Sequence, residues 1–321
     1  MQGVGFRPFV FSRAVKNGLA GFVLNTGRGV TAEAQGEEES VNRFIEELSI
    51  LAPPLARIES IFAEIIPDEK PEPFEISRSE GEGRGFPLIS PDIATCGDCL
   101  KELFDESDRR YSYPFINCTN CGPRFTIVKD VPYDRARTTM SGFAMCDDCS
   151  TEYADTADRR FHAQPDACAV CGPRLSLAMP DGSVPCEGKS ALAAAASMLR
   201  DGKVIAIKGI GGYHLACDAA DERAVSGLRG RKFREDKPFA VMVKDAEEAR
   251  SVCIVSKADE AILAGPRRPV LLLKRRVDAG VARSVAPDSP ELGVMLPYTP
   301  LHHLLLAAAG GPLVMTSGNR S

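Results

Sequence analysis

Nowhere in the 321 residues does an apolar run approach the eighteen or so that a membrane-spanning helix needs, so insertion into a bilayer is not indicated. The N-terminus also lacks the basic, apolar and small-residue order of a secretory signal, so export is not indicated either. The chain reads as cytoplasmic. Nor is there an excess of positive charge. The 39 Lys and Arg stand against 44 Asp and Glu, a net charge of −5, which argues against a general nucleic-acid binder and leaves room only for a local basic groove. What is present, 44% apolar and 26% charged residues, is ordinary for a globular protein with two or three domains.

The 11 cysteines would read as disulfides in a small secreted protein, but here there is no export signal and eight of them fall in C-x-x-C pairs. The segment "CGDCLKELFDESDRRYSYPFINCTNCGPRF" (96–125) matches "CDDCSTEYADTADRRFHAQPDACAVCGPRL" (146–175) without a gap, an internal duplication at an offset of 50 residues. Each copy reads C-x2-C-x18-C-x2-C. Two thiolates spaced by two residues can hold one edge of a tetrahedral zinc while a second pair holds the other, so eight cysteines fit two structural zinc ions. The direct grouping is Cys96, Cys99, Cys118 and Cys121 on one ion and Cys146, Cys149, Cys168 and Cys171 on the other; an interleaved grouping fits the spacing as well. A redox role for the pairs lacks the expected strand-helix context. Gly122 and Gly172 follow the second knuckle of each copy, where the backbone can turn to aim N–H groups at sulfur. Cys186, Cys217 and Cys253 stand alone and read as buried small apolar residues.

Upstream, residues 1–76 open on "MQGVGFRPFV". Gly3 and Gly5 expose backbone N–H groups just before a helical pattern running from Phe6 to Asn17 and closed by Gly18, a position suited to an anion, and Arg7 adds a planar cationic fork. "GFVLNTGRGVTAEAQG" alternates like a hairpin, "EESVNRFIEELSIL" has helical periodicity, and "IESIFAEII" (58–66) reads as a strand. The opening stretch together with the hairpin resembles the acylphosphatase family. That resemblance implies a phosphate cradle in this loop, a catalytic Arg at Arg7, a water-positioning Asn at Asn25, and metal-free hydrolysis of an acyl phosphate. Acylphosphatases begin with a strand leading into the loop, so the expectation is a ferredoxin-like segment lacking its first strand.

A linker over 77–92, containing "SRSEGEGRGFP", leads to the cysteine region (93–180), and "PDGSVPCEGK" leads out of it. From 187 to 321 an alternation of helix and strand follows: "SALAAAASMLRDG", "KVIAIKG", "DERAVSGLRGRK", "PFAVMV", "DAEEARSV", "PVLLLKR" and "PLVMTSG". It predicts a mixed α/β sheet. "RGRKFREDK" (229–237) carries five positive charges against two negative ones, and "TSGNRS" places hydroxyl and amide groups directly after a buried strand, where α/β sheets bind ligands. With "KGIGGYHLACDA" and "LGVMLPYTPLHHLLL", these stretches resemble the YrdC family of nucleotide-binding domains, whose K-x-R and S-x-N groups match Lys232, Arg234, Ser317 and Asn319. The resemblance implies formation of an acyl adenylate from ATP with magnesium, with Lys208, Lys237 and Thr299 as helpers. The chain ends shortly after the S-x-N motif, so a C-terminally incomplete domain is expected.

The fold class expected is therefore α/β and α+β multidomain: a truncated acylphosphatase-like segment, two four-cysteine zinc modules and a YrdC-like domain. Three modules in this order resemble the carbamoyltransferase HypF family of nickel-iron hydrogenase maturation. The family implies hydrolysis of carbamoyl phosphate, internal passage of carbamate, conversion with ATP to carbamoyl adenylate, and transfer to the C-terminal cysteine of a HypE protein on the way to a cyanide ligand. The transfer domain is not in this chain. Two other readings stay open: a threonylcarbamoyl-adenylate synthase for tRNA modification, and a non-catalytic zinc or RNA-binding fragment. The acylphosphatase-like segment speaks against the first, and salt-dependent RNA binding would favour the second.

Overall fold

The computed structural model describes residues 3–26, 29–53, 55–67, 72–77 and 89–319. The chain divides into two compact units, one formed by residues 1–92 and 117–172, the other by residues 93–116 and 173–321.

In the first unit, α1 (Phe6–Lys16) starts directly after Gly5, whose φ of 71° is left-handed, and ends before Gly18 at φ 68°. Glycine is needed at both places because a side chain there would clash with its own backbone. The strands β1 (Ala20–Asn25) and β2 (Val30–Gln35) form the expected hairpin, paired from Ala20–Gln35 down to Asn25–Val30. After α2 (Glu38–Ile50), β3 (Glu75–Ile76) joins the other edge of β1 in parallel, giving the order β2-β1-β3. Val10 and Ala14 of α1 and Phe44 and Leu48 of α2 bury against Val23 and Phe74. The apolar spacing of both helices is what turns these residues inward. Residues 58–66 do not form the expected strand, and Phe62 and Ile65 are fully exposed. A strand exists through the hydrogen bonds of a neighbour, and both edges of β1 are already taken by β2 and β3.

The cysteine copies each begin with a short helix, α3 (Gly97–Phe104) after Cys96 and α4 (Asp147–Ala154) after Cys146. Their shared "DRR" turns repeat in detail: Arg110 N–H donates to Asp108 and Arg160 N–H to Asp158, both at 2.7 Å.

In the second unit, β4 (Ser176–Leu177) and β5 (Cys186–Glu187) form a small ribbon ahead of α5 (Gly188–Arg200). Then come β6 (Ile205–Lys208), β7 (Tyr213–Asp218), α6 (Glu222–Arg231), β8 (Ala240–Met242), α7 (Ala246–Val252), α8 (Lys257–Ala264), β9 (Leu271–Lys274), β10 (Glu291–Met295), α9 (Pro300–Ala309) and β11 (Leu313–Ser317). Six strands make one mixed sheet in the order β6-β7-β11-β8-β10-β9. The central strands β8, β10 and β11 are covered on both faces, whereas the edge strands β6 and β9 expose alternate residues; in β11, Val314 joins the core with Val225, Leu228 and Phe239, while Leu313 and Met315 join the core with Leu199, Leu301 and Leu305. The helices and strands foreseen by pattern are present, and β7, β10, α8 and α9 are additional elements of the same sheet system. Cys217 and Cys253 are buried, and burial pushes their thiols up to about 12 and about 11, as inert apolar residues require. Cys186 differs: at the edge ribbon β5 it is only partly buried.

Candidate functional site

The loop before α1, the hairpin end and the cysteine region together line one cleft in the first unit, with Gly3, Val4, Gly5, Arg7 and Asn25 on one side and Thr119, Arg124, Tyr133 and His162 on the other. Arg7, in the first turn of α1, is brought to Asn25 at the end of β1. With the carboxamide turned as its hydrogen bonds require, the Asn25 oxygen accepts from Arg7 Nε at 2.8 Å and Nη2 at 3.2 Å. Arg7 Nη2 also donates to Asp134 Oδ1 at 2.8 Å. The guanidinium is thus held in a fixed direction at the mouth of a left-handed glycine loop. A preset cation beside open backbone N–H groups is suited to holding phosphoryl oxygens without reorganisation. His162, near this pair, has its pKa lowered by burial and by the charge of Arg7, partly opposed by Asp134, so its ring is neutral at pH 7. Tyr133 is pushed up to about 12 by burial and stays a neutral phenol, donating to the Pro123 carbonyl at 3.3 Å.

Within the first unit, the sulfurs of Cys146, Cys149, Cys168 and Cys171 lie within 4.8 Å of one another. The grouping is sequential, which the spacing alone left open. Neighbouring sulfurs are 3.9 Å apart for Cys118 and Cys121, 3.7 Å for Cys146 and Cys168, 3.8 Å for Cys168 and Cys171 and 3.6 Å for Cys171 and Cys149. A tetrahedral zinc with Zn–S bonds of about 2.3 Å sets its sulfurs about 3.8 Å apart, so the donor set fits that ion. Knuckle N–H groups of Asn120 and Val170 point to Cys118 and Cys168 sulfur at 3.4 Å in both copies. Gly122 takes φ 93°, and a Cβ there would lie 2.7 Å from Asn117 Cβ.

In the second unit, the end of α6 and the end of β11 converge. Lys232 is the C-cap of α6 and is buried; its Nζ donates to the Ser317 carbonyl at 2.9 Å and to the Asn319 carbonyl. Ser317 Oγ in turn bonds Asn319 Oδ1. Arg234 reaches Thr316 Oγ1 at 3.2 Å and the carbonyls of Lys237 and Pro238. Burial, and then the charge of Arg234, lowers the Lys232 pKa; burial alone lowers that of Arg234. Two cations crowded at a strand end are a natural counter-charge for polyphosphate. Phe233 between them takes a left-handed φ of 52°, the strained backbone that often marks a working loop. Arg229, in the sequence only one of the five positive charges of 229–237, braces this loop by donating to the carbonyls of Ser284, Arg234 and Glu235. Lys208 ends β6, pairs in register with Tyr213 and sits 5.8 Å from its ring centre; the Tyr213 carbonyl accepts from Gly318 N–H. Lys237 is exposed and lends its carbonyl to the loop. Thr299 is buried and caps α9, accepting from His302 N–H, so its side chain is engaged in the fold. Asp134 and Arg124 were likewise not foreseen. Arg124 stands in the repeated "CGPR" motif, a signal that was there to use.

Residues 1–76 match the acylphosphatase family model, residues 95–128 and 145–178 the HypF finger, and residues 197–321 the family described as telomere recombination, which takes in Sua5, YciO and YrdC. The chain is 50% identical to carbamoyltransferase HypF of Synechocystis sp. over 319 residues, 99% of this chain and 42% of that protein. It is also 50% identical to carbamoyltransferase HypF of Rhodobacter capsulatus over 322 residues, 100% of this chain and 42% of that one. A crystal structure of full-length HypF in its phosphate- and nucleotide-bound form superposes with a TM-score of 0.92 at 48% identity, covering 100% of this chain and 42% of the other.

Proposed function

Because the chain belongs to the HypF carbamoyltransferase family and spans 42% of the length of the relatives it matches, we propose that it carries the first two steps of carbamoyl transfer. In the first, water attacks carbamoyl phosphate at the cradle of Gly3, Gly5, Arg7 and Asn25, giving carbamate and phosphate. In the second, a carbamate oxygen attacks the α-phosphorus of ATP at Lys232, Arg234, Ser317 and Asn319, forming carbamoyl adenylate and releasing pyrophosphate. The observation that supports it most is the presence, in one chain, of the Arg7–Asn25 pair at a glycine loop and the Lys232–Ser317–Asn319 cluster at a strand end.

Arg7 neutralises the phosphoryl group and Asn25 fixes it and orients the attacking water, while loop N–H groups hold the remaining oxygens. Lys232 and Arg234 balance charge as pyrophosphate leaves, with magnesium accompanying the ATP; Ser317 and Asn319 hold the nucleotide, and Lys208 and Lys237 support them. Carbamate decomposes in water, so passing it on within the protein preserves it. The eight paired cysteines would hold two structural zinc ions that stand in for a hydrophobic core. We read 1–76, 93–180 and 187–321 as the three functional segments, the first two joined by the 77–92 linker. In the whole protein the carbamoyl group would pass to the C-terminal cysteine thiolate of HypE, in the cytoplasm, with AMP as leaving group. Among the described residues no helix is long and apolar enough to cross a membrane.

ATP–pyrophosphate exchange by the purified chain tests the reading. Exchange that requires carbamoyl phosphate and disappears in Lys232→Ala is expected; exchange supported by threonine plus bicarbonate in place of carbamoyl phosphate would overturn the substrate.

A further inference from the structure

We propose that the cysteine region is a working part of the phosphoryl-binding site: Arg124 is a positioning residue for the glycine cradle, and Asp134 is a positioning residue for Arg7. This deepens the functional reading above and rests on the cradle binding a phosphoryl group.

Arg124 is 2% exposed, and its bonds account for every N–H of the guanidinium. Nε donates to the Gly3 carbonyl at 2.6 Å, Nη1 to Cys121 at 3.0 Å and Pro123 at 2.9 Å, and Nη2 to Cys118 at 3.2 Å and Thr119 at 2.8 Å. One of these five carbonyls belongs to the cradle and the other four to the second cysteine knuckle. A carbonyl tied to a buried guanidinium cannot swing its lone pairs toward an incoming phosphoryl group, so the loop keeps its N–H groups available for the anion. The packing is close enough to require glycine. A Cβ on Gly5 would sit 2.3 Å from Thr119 Cγ2, and one on Gly3 would sit 3.0 Å from Arg124 Cδ, both at left-handed φ. The duplication supplies a comparison within the chain. Arg174 holds the equivalent place in the second "CGPR" motif, yet it is exposed. The role belongs to the first copy alone.

Asp134 acts on the other component. Its carboxylate takes Arg7 Nη2 at 2.8 Å while Asn25 takes Nε and Nη2, so two groups from different parts of the chain fix the plane of one guanidinium. A carboxylate in this place also repels an anion, so Asp134 contributes direction to Arg7 and costs some affinity for phosphate.

The test measures binding of inorganic phosphate by titration calorimetry and turnover of acetyl phosphate and carbamoyl phosphate by the purified chain. Arg124→Lys keeps the charge but has only three donors; phosphate affinity is expected to fall and KM to rise by about tenfold or more. Asp134→Asn is expected to lower kcat by about tenfold or more while phosphate binds as tightly as in the wild type or more tightly, a split that a fold defect would not produce. Arg174→Ala should match the wild type. Circular dichroism and metal content equal to the wild type establish that each variant is folded, and if Arg124→Lys is not, Asp134→Asn decides. Wild-type behaviour of Arg124→Lys or of Asp134→Asn, or a wild-type chain that does not bind phosphate, would overturn the proposal. If the variant effects are seen with acetyl phosphate while carbamoyl phosphate is left intact, the proposal stands and the carbamoyl reading falls.

Discussion

The Arg7 guanidinium and the Asp134 carboxylate meet at 2.8 Å across a sequence separation of 127 residues. Only 13% of the arginine side chain is exposed, so the pair is partly withdrawn from water and its geometry is better defined than that of a surface ion pair.

Replacing Arg7 by lysine keeps the charge and removes the planar fork that Asn25 and Asp134 grip. Turnover of an acyl phosphate, followed as phosphate release, is expected to fall by about 100-fold or more. Activity within threefold of the wild type would exclude Arg7 from the chemistry.

Lys232 is buried at the C-cap of α6, so its charge has few alternatives to the β11 end. Lys232→Met should keep the fold while ATP–pyrophosphate exchange drops by about 100-fold. Thermal unfolding within a few degrees of the wild type would show that the loss is catalytic.

Metal analysis of the purified chain should find two zinc ions, and Cys121→Ser should leave one with lower thermal stability. A variant that keeps both ions would contradict the four-cysteine grouping.

His302 is fully buried with both ring nitrogens lacking a hydrogen-bond partner, and burial holds it at about 3, with His303 at about 4. The ordinary value is near 6.5, so the unfolded chain binds these protons more readily than the folded one. The contribution to stability is therefore complete above about pH 6.5 and is lost as pH falls from there toward 3, at up to about 1.4 kcal/mol per pH unit for each ring. In urea unfolding, His302→Leu should show a shallower loss between pH 6.5 and 4 than the wild type; identical slopes would refute this.

Much of the local structure was legible. Gly18 and Gly202 closed helices where left-handed backbone is required, and alternation in "GFVLNTGRGVTAEAQG" gave the β1–β2 hairpin. The stretch 58–66 has the composition of a strand but no pairing partner among the described residues, and composition cannot report a partner. β7 and β10 contain Gly, His or Cys among apolar residues and lie inside a sheet covered on both faces, so their periodicity was weak. α9 is apolar nearly all round for the same reason.

The sequence by itself determined the eight cysteines in C-x-x-C pairs and the glycine loop before Arg7, because these depend on residue type at short spacing, while Arg7, Asn25, Lys232, Arg234, Ser317 and Asn319 were singled out by the resemblance to the acylphosphatase and YrdC families. Only the tertiary structure decided that the cysteines group sequentially, and that Arg124 and Asp134, over 100 residues away in sequence, hold the cradle and its arginine. Contacts over more than 100 residues depend on how sheets and helices bring distant backbone together, and no short-range pattern of residues encodes that.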